Sequence, residues 1–273
     1  MPMNTLASKA ANAMITLVAL SFIFLFLILP ILVILQQGFS EGVVAWWQNI
    51  SDEETLLALR LTLTVAAIAV PLNLLFGIMI AWTIAKFQFR GRELLLTLID
   101  LPLAIPPIIS GLMYVLLFGI YGWFGAFFNN YDVQIIYAVP GIILVTIFVT
   151  LPYVARELIP LLSKQGTEEE LAAISLGASG LQTFWRVTLP NVKWGILHGI
   201  ILCNARAMGE FGAVAVVSGH IRGETNTLPL HIEILYNEYN FVAAFAISSL
   251  FVSLATITLL LKGMSSEHHS KKH

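Results

Sequence analysis

Six stretches of this chain are apolar over about the length of a bilayer crossing, and that pattern limits the fold more than any motif does. They are Ile15–Leu35, Leu56–Ala85, Leu98–Leu117, Ile135–Ala155, Trp194–Val217 and Phe241–Leu261. A membrane helix needs about 20 mostly apolar residues, and a helix is suited to lipid because it pairs its backbone polar groups internally. Charged residues make up 11% of the 273-residue chain, against about 25% in a soluble domain. Mean hydropathy is +0.86. A chain so poor in charge cannot cover itself with a hydrated surface. The sequence therefore predicts an all-α, polytopic membrane bundle of six transmembrane helices. No internal repeat, low-complexity tract or linker divides it, so residues 1–273 are read as a single domain. The first stretch is longer than the ~7–15-residue core of a signal peptide and lacks a small-residue cleavage site, which marks it as a retained anchor.

Orientation follows from the connectors. One alternate set carries Lys9; Lys86, Arg90 and Arg92; Arg156, Lys164, Arg186 and Lys193; and Lys262, Lys271 and Lys272. The other set is acidic, with Glu41, Asp52, Glu53, Glu54, Asp132, Glu224, Glu233 and Glu238 against Arg60 and Arg222. Basic loops stay in the cytoplasm, so both termini are expected there, in an inner membrane of bacterial type. Trp46, Trp47, Tyr121, Trp123 and Tyr131 sit where an interfacial aromatic belt belongs. Proline recurs in or near the spans, at Pro30, Pro71, Pro102, Pro106, Pro107, Pro140 and Pro152. The run Leu101–Pro107 predicts a broken or bent start to the third span. Cys203, the single cysteine, reads as a small core hydrophobe. His268, His269 and His273 read as a solvated tail, with metal binding as the alternative.

The connector from about 156 to 193 has the most local design. Thr167 and Glu170 form a capping-box pattern, and Glu168 and Glu169 add negative charge at the positive end of a helix dipole. Leu171, Ile174 and Ala178 fall at helical spacing. Gly177 is placed to stop that helix by turning left-handed. A second short helical stretch runs through Phe184 and Trp185, and Pro190 precedes the fifth span. Apolar residues on a short solvent-side helix need a partner.

This segment resembles the coupling loop of permease subunits of binding-protein-dependent ABC importers. Ala172, Ala173, Gly177, Leu189 and Pro190 match in type and spacing, whereas the glutamate expected before the alanines is Leu171. The resemblance implies a coupling helix that docks on a cytoplasmic ATPase subunit, with Glu169, Glu170, Ala172, Ala173, Gly177 and Pro190 as its candidate residues. The chain has no G-x-x-x-x-G-K-[ST] run to cradle ATP. ATP hydrolysis is therefore expected on a separate subunit, and this chain is not read as an enzyme.

A second informative stretch runs from Asn204 to Glu233. Arg206 and Glu210 are four residues apart, as on one helix face. They form either a structural ion pair or, together with Asn204, part of an anion pathway. Gly195 and Gly199 make a G-x-x-x-G pair, by chance or for helix packing. The run Ala205–Ala213 is similar to the sulfate/thiosulfate and molybdate permease group, and Ser218–Leu230 looks closest to a membrane subunit of the sulfate/thiosulfate importer. The implied partners are a second related permease, two ATPase subunits, a periplasmic sulfate-binding protein and the lipid bilayer. No cofactor, metal or nucleic acid is implied. The alternatives are a molybdate/tungstate permease, or an ion-coupled secondary transporter, for which Glu210 is the clear intramembrane acid. Glu224 reads as a solvated loop charge, or as a contact for the binding protein.

Overall fold

The computed structural model describes the backbone of residues 6–270 and the side chains of residues 12–254 and 256. Lys9, Lys262, Lys271, Lys272, His268, His269 and His273 lie outside the described side chains. The described residues are helical with no strand. In chain order the helices are α1 (Leu6–Ile23), α2 (Leu29–Gly38), α3 (Gly42–Ile50), α4 (Glu53–Lys86), α5 (Arg92–Ala104), α6 (Pro107–Phe118), α7 (Gly125–Asn129), α8 (Val139–Gln165), α9 (Glu168–Ser175), α10 (Gly180–Thr183), α11 (Leu189–Asn191), α12 (Lys193–Met208), α13 (Gly212–Ser218), α14 (Leu228–Asn237) and α15 (Phe241–Ser270).

Wider π-helical turns, Phe24–Ile28 and Phe184–Thr188, join α1 to α2 and α10 to α11. Each closes just before a proline: Leu29 N–H bonds Phe24 C=O ahead of Pro30, and Leu189 N–H bonds Phe184 C=O ahead of Pro190. Proline lacks an N–H and its ring crowds the carbonyl four residues back. A wider turn relieves that crowding without ending the helix.

Among the described residues, three helices are long and apolar enough to cross a bilayer, or five if each of two bent pairs is one crossing. The three are Asn12–Gly38, Glu53–Lys86 and Val139–Gln165. The expected third span is the α5–α6 pair, bent by 107°, and the fifth is α12–α13, bent by 51°. The break in the third falls within Leu101–Pro107, as its prolines predict: Ile105 is extended, and Pro106 caps α6. Two boundaries move. The fourth span starts at Val139 rather than Ile135 and continues through Pro152 and Pro160 to Gln165. The connector read as starting at 156 therefore gives its first ten residues to α8, because no glycine or left-handed residue stops the helix before Gly166 (φ 68°). The apolar part of the last helix is described over Phe241–Leu254.

The chain divides into two compact units, Met1–Asp52 with Ile232–Thr256, and Glu53–His231 with Ile257–His273. In the first, Trp46 Nε1 donates to Ser249 Oγ at 2.8 Å, and Gly38 lets the end of α2 approach the backbone of Phe245. The apolar Asn12–Gly38 helix is otherwise exposed.

In the second unit α4 and α8 form the spine. Gly77 faces Val154, where an added Cβ would come within 2.7 Å of the valine. Small residues at such crossings matter in membranes, where close packing replaces the hydrophobic drive between helices. Gly195 and Gly199 are buried against Leu161 and Val154 of α8, so this pair serves helix packing. Gly111 brings α6 against Ala213 and Val216 of α13. Cys203 is buried beside Val154, Leu158 and Ala207, and Asn73 Nδ2 reaches both its sulfur (3.7 Å) and Thr150 Oγ1 (2.6 Å).

Candidate functional site

Two loops of the second unit hold the residues that the sequence singles out. The first runs between α8 and α12. Thr167 caps α9 by position only: its side chain makes no capping bond, so the expected capping box with Glu170 does not form. Glu170 is drawn away to Lys86 Nζ at 3.0 Å and to Thr188 Oγ1, which donates at 2.6 Å. Charge-assisted bonds of this kind outweigh a neutral cap. Lys86 Nζ also reaches Gly166 O, and Asn191 Nδ2 donates to Glu169 Oε2. Glu169 and Glu170 thus fasten the loop to its own chain.

The end of α9 follows the sequence closely. Gly177 has φ +90°, its N–H bonds Ile174 O at 2.9 Å, and Ala178 N–H bonds Ala173 O at 3.0 Å. That is a Schellman stop. It carries Ala178 past the turn and off the face shared by Leu171 and Ile174. A capping box does occur two residues later. Ser179 Oγ accepts from Gln182 N–H, and Gln182 Oε1 accepts from Ser179 N–H. The pattern Ser-x-x-Gln was there to be read. With Glu170, Thr183 and Thr188 covered, the loop presents several apolar side chains: Leu171, Ile174, Leu181 and Trp185 are exposed, and Leu176 is 90% exposed. Ala172 is exposed too, Ala173 is half-buried, and Pro190 is exposed at the return toward α12.

The second loop begins at the break between α12 and α13. Arg206 lies on α12 and Glu210 just past its end, so the pair spans the break rather than one helix face. Arg206 Nη1 and Glu210 Oε2 are 2.7 Å apart, close enough for an ion pair but not aligned as a hydrogen bond. Glu210 Oε1 accepts from Ala213 N–H at 3.0 Å, which satisfies a backbone donor that the break exposes. The Glu210 side chain is 1% exposed. Asn204 is half-buried and its amide contacts Met208 Sδ at 3.6 Å.

Beyond α13 the chain turns at Gly219 (φ +70°) and folds polar groups into the interior. Thr225 Oγ1 donates to Ser218 O at 2.6 Å and accepts from Ile221 N–H. Leu228 N–H donates to Thr62 Oγ1 of α4 at 2.8 Å. Buried His231 lies within hydrogen-bond distance of Thr55 Oγ1, and Asn226 Nδ2 approaches its other ring nitrogen. Arg222 pairs with Glu54 at 2.9 Å, while Glu224 is exposed. Thr62, Thr146, Glu210 and Thr227 line a cavity of about 10 Å³, room for about one water and too small for an oxyanion.

Residues 73–266 match the family described as "Binding-protein-dependent transport system inner membrane component". The chain belongs to this family of inner-membrane permeases. It is 52% identical over 238 residues to the Escherichia coli K12 "Sulfate transport system permease protein CysW", covering 87% of this chain and 82% of that one. It is 35% identical over 243 residues to the Salmonella typhimurium "Sulfate transport system permease protein CysT", covering 89% and 87%. The fold matches a chain of a bacterial alginate ABC transporter solved with an alginate pentasaccharide-bound periplasmic protein. That match has a TM-score of 0.78 and 17% identity, over 97% of this chain and 96% of the other. The ABC-permease assignment read from Ala172, Ala173, Gly177 and Pro190 is borne out. Sequence reasoning missed Lys86, Thr188 and Asn191, which fasten the loop, and Thr62 and Thr225, which hold the second one. Only their position in the fold reveals them.

Proposed function

We propose that the chain is one membrane subunit of an ATP-driven importer for sulfate and thiosulfate. The observation that carries this reading is the 52% identity, over most of both chains, to a sulfate permease. The two permease types compared differ in nearness, at 52% and 35% identity, which supports a partner of the second, related type rather than a second copy. Two ATPase subunits and a periplasmic sulfate-binding protein complete the assembly. The basic connectors put the loop between α8 and α12, and both termini, in the cytoplasm. The whole chain works as one permease domain. Exposed Leu171, Ile174, Leu176, Leu181 and Trp185 supply the apolar docking surface for an ATPase. Ala172, Ala173 and Gly177 shape it, and Glu169, Glu170 and Pro190 hold it in place.

Arg206 and Glu210 meet across the α12–α13 break, Asn204 lies earlier on α12, and Glu210 lines a cavity too small for the anion. The pathway is therefore built together with the partner permease, and Arg206 biases its potential toward anions. An ion-coupled mechanism needs an acid free to exchange its ion. Glu210 is already engaged by Arg206 and by Ala213 N–H. The deciding test is uptake of labelled sulfate in cells lacking other sulfate importers. Uptake is expected to need ATP and the binding protein, to resist ionophores, and to be inhibited by thiosulfate. Displacement by micromolar molybdate or tungstate, with none by thiosulfate, would reassign the substrate to molybdate.

A further inference from the structure

Lys86 is the last residue of α4, and its side chain is 4% exposed. Lysine is almost never buried without a partner. Here the ammonium group sits 3.0 Å from Glu170 Oε1 and also reaches Gly166 O. The same Glu170 oxygen accepts from Thr188 at 2.6 Å. One carboxylate oxygen therefore joins three parts of the chain: the end of α4, the start of α9, and the π turn that leads toward α12. A second grip lies one turn back on α4. Trp82 packs edge-on against Phe184 with ring centroids 5.3 Å apart.

The opposite end of α4 is fastened to the other loop. Glu54 pairs with Arg222, Thr55 meets His231, and Thr62 accepts from Leu228 N–H. The two sets of contacts sit toward opposite ends of a 34-residue helix, about 50 Å long at 1.5 Å per residue. Much of it packs against α8. Rigid, packed elements of this kind carry coupling between distant sites.

We propose that Lys86 is a positioning residue that clamps α4 to the coupling loop, so that α4 transmits displacement of that loop to the Ser218–His231 segment at its far end. The inference rests on the reading of the chain as an ATP-driven permease. It adds that the stroke passes through one buried ion pair and one helix, as well as through the direct chain connection into α12. Breaking the clamp frees the loop from α4, while the Glu169–Asn191 bond, the Gly177 turn and the Ser179 cap still hold its apolar side chains at the surface. The ATPases therefore still bind and turn over, but their cycle moves the far segment less, through α12 and α13 alone.

The test uses the complete complex, with partner permease, ATPases and binding protein, reconstituted in proteoliposomes. Sulfate uptake and phosphate release are measured together for Lys86→Met, for Glu170→Gln and for the double variant. Both single changes nearly preserve side-chain volume. Uptake per ATP is expected to fall about tenfold in each single variant, the scale of an ordinary coupling between sites. ATPase activity is expected to remain, and the double variant to be no worse than the singles. The nucleotide-dependent change in hydrogen exchange at Gly219–Leu228 is expected to weaken in parallel. Unchanged uptake per ATP in both singles, or strictly additive losses, overturns the clamp. So does loss of ATPase co-purification in both singles, which would make the contact a brace for folding. The unaltered complex separates this inference from the one it rests on: a lack of ATP-driven sulfate uptake there removes the function itself.

Discussion

The two loops of the second unit solve opposite problems. The loop between α8 and α12 turns its apolar side chains outward, while Glu170 reaches inward to Lys86 and Thr188 and exposed Glu169 meets Asn191. The segment from Ser218 to His231 buries Thr225, Asn226, Thr227 and His231 and leaves Ile221, Arg222 and Glu224 outside. In the first, polar bonds hold the shape of the proposed docking surface. In the second, polar side chains stand in for the helical bonds lost where the chain turns, since a buried backbone group without a partner is expensive. The contrast teaches that, outside the apolar spans, exposure of apolar residues points to an interaction surface, whereas burial of polar residues marks a fold-determining one. Changes in the second loop and its anchors are therefore expected to cost stability, and changes on the surface of the first to cost partnership.

The largest expected effect is at the start of the second loop. Arg206→Ala leaves Glu210, 1% exposed, with its charge uncompensated, at a cost of about 3 kcal/mol. The Arg206→Ala, Glu210→Ala double variant is expected to be the more stable of the two, which thermal unfolding of the purified assembly would register. Strictly additive losses would show that the residues act independently. Thr62→Val comes next. It removes the acceptor for Leu228 N–H, at about 2 kcal/mol for a stranded buried donor. Proteolysis near Gly223 is the sensitive measure, and unchanged cleavage would disconnect α4 from this segment.

Gly177→Val is smaller. An added Cβ at Gly177 meets nothing within 4 Å, so the penalty is the left-handed backbone alone, about 1–2 kcal/mol. Insertion into the membrane is expected to survive while ATPase attachment weakens; normal ATP-driven uptake would deny the turn its role. Leu176→Ser touches only an exposed side chain and is expected to change stability by less than about 0.5 kcal/mol. Its effect should appear solely as reduced ATPase co-purification with the permease. If it destabilised the chain without reducing attachment, the comparison between the loops would collapse.

Much of this was legible because it is written locally. The apolar runs announce α4, α8 and the first helix, since lipid admits only chains that bond internally. The prolines of Leu101–Pro107 announce the break between α5 and α6. Gly177, three residues after Ile174, announces a left-handed stop, because glycine alone adopts φ near +90° without strain. Ser179 and Gln182 carried an equally plain cap, while Thr167 and Glu170 carried a misleading one. The difference lies in what else stands nearby in space. Gln182 bonds Ser179 within its own turn, whereas Glu170 has Lys86, 84 positions away in the chain.

By itself, then, the sequence determined where helices run, where they stop or bend, and which solvent surrounds them, because those outcomes depend on neighbours within a turn or two of the backbone. The tertiary structure decided which polar groups meet. Lys86 with Glu170, Thr62 with Leu228 N–H, and Asn73 with Thr150 and Cys203 are joined only once α4, α8 and α12 pack through Gly77, Gly195 and Gly199. A buried charge or amide takes the strongest partner within about 3 Å, and nothing in the local order of residues states who that partner will be.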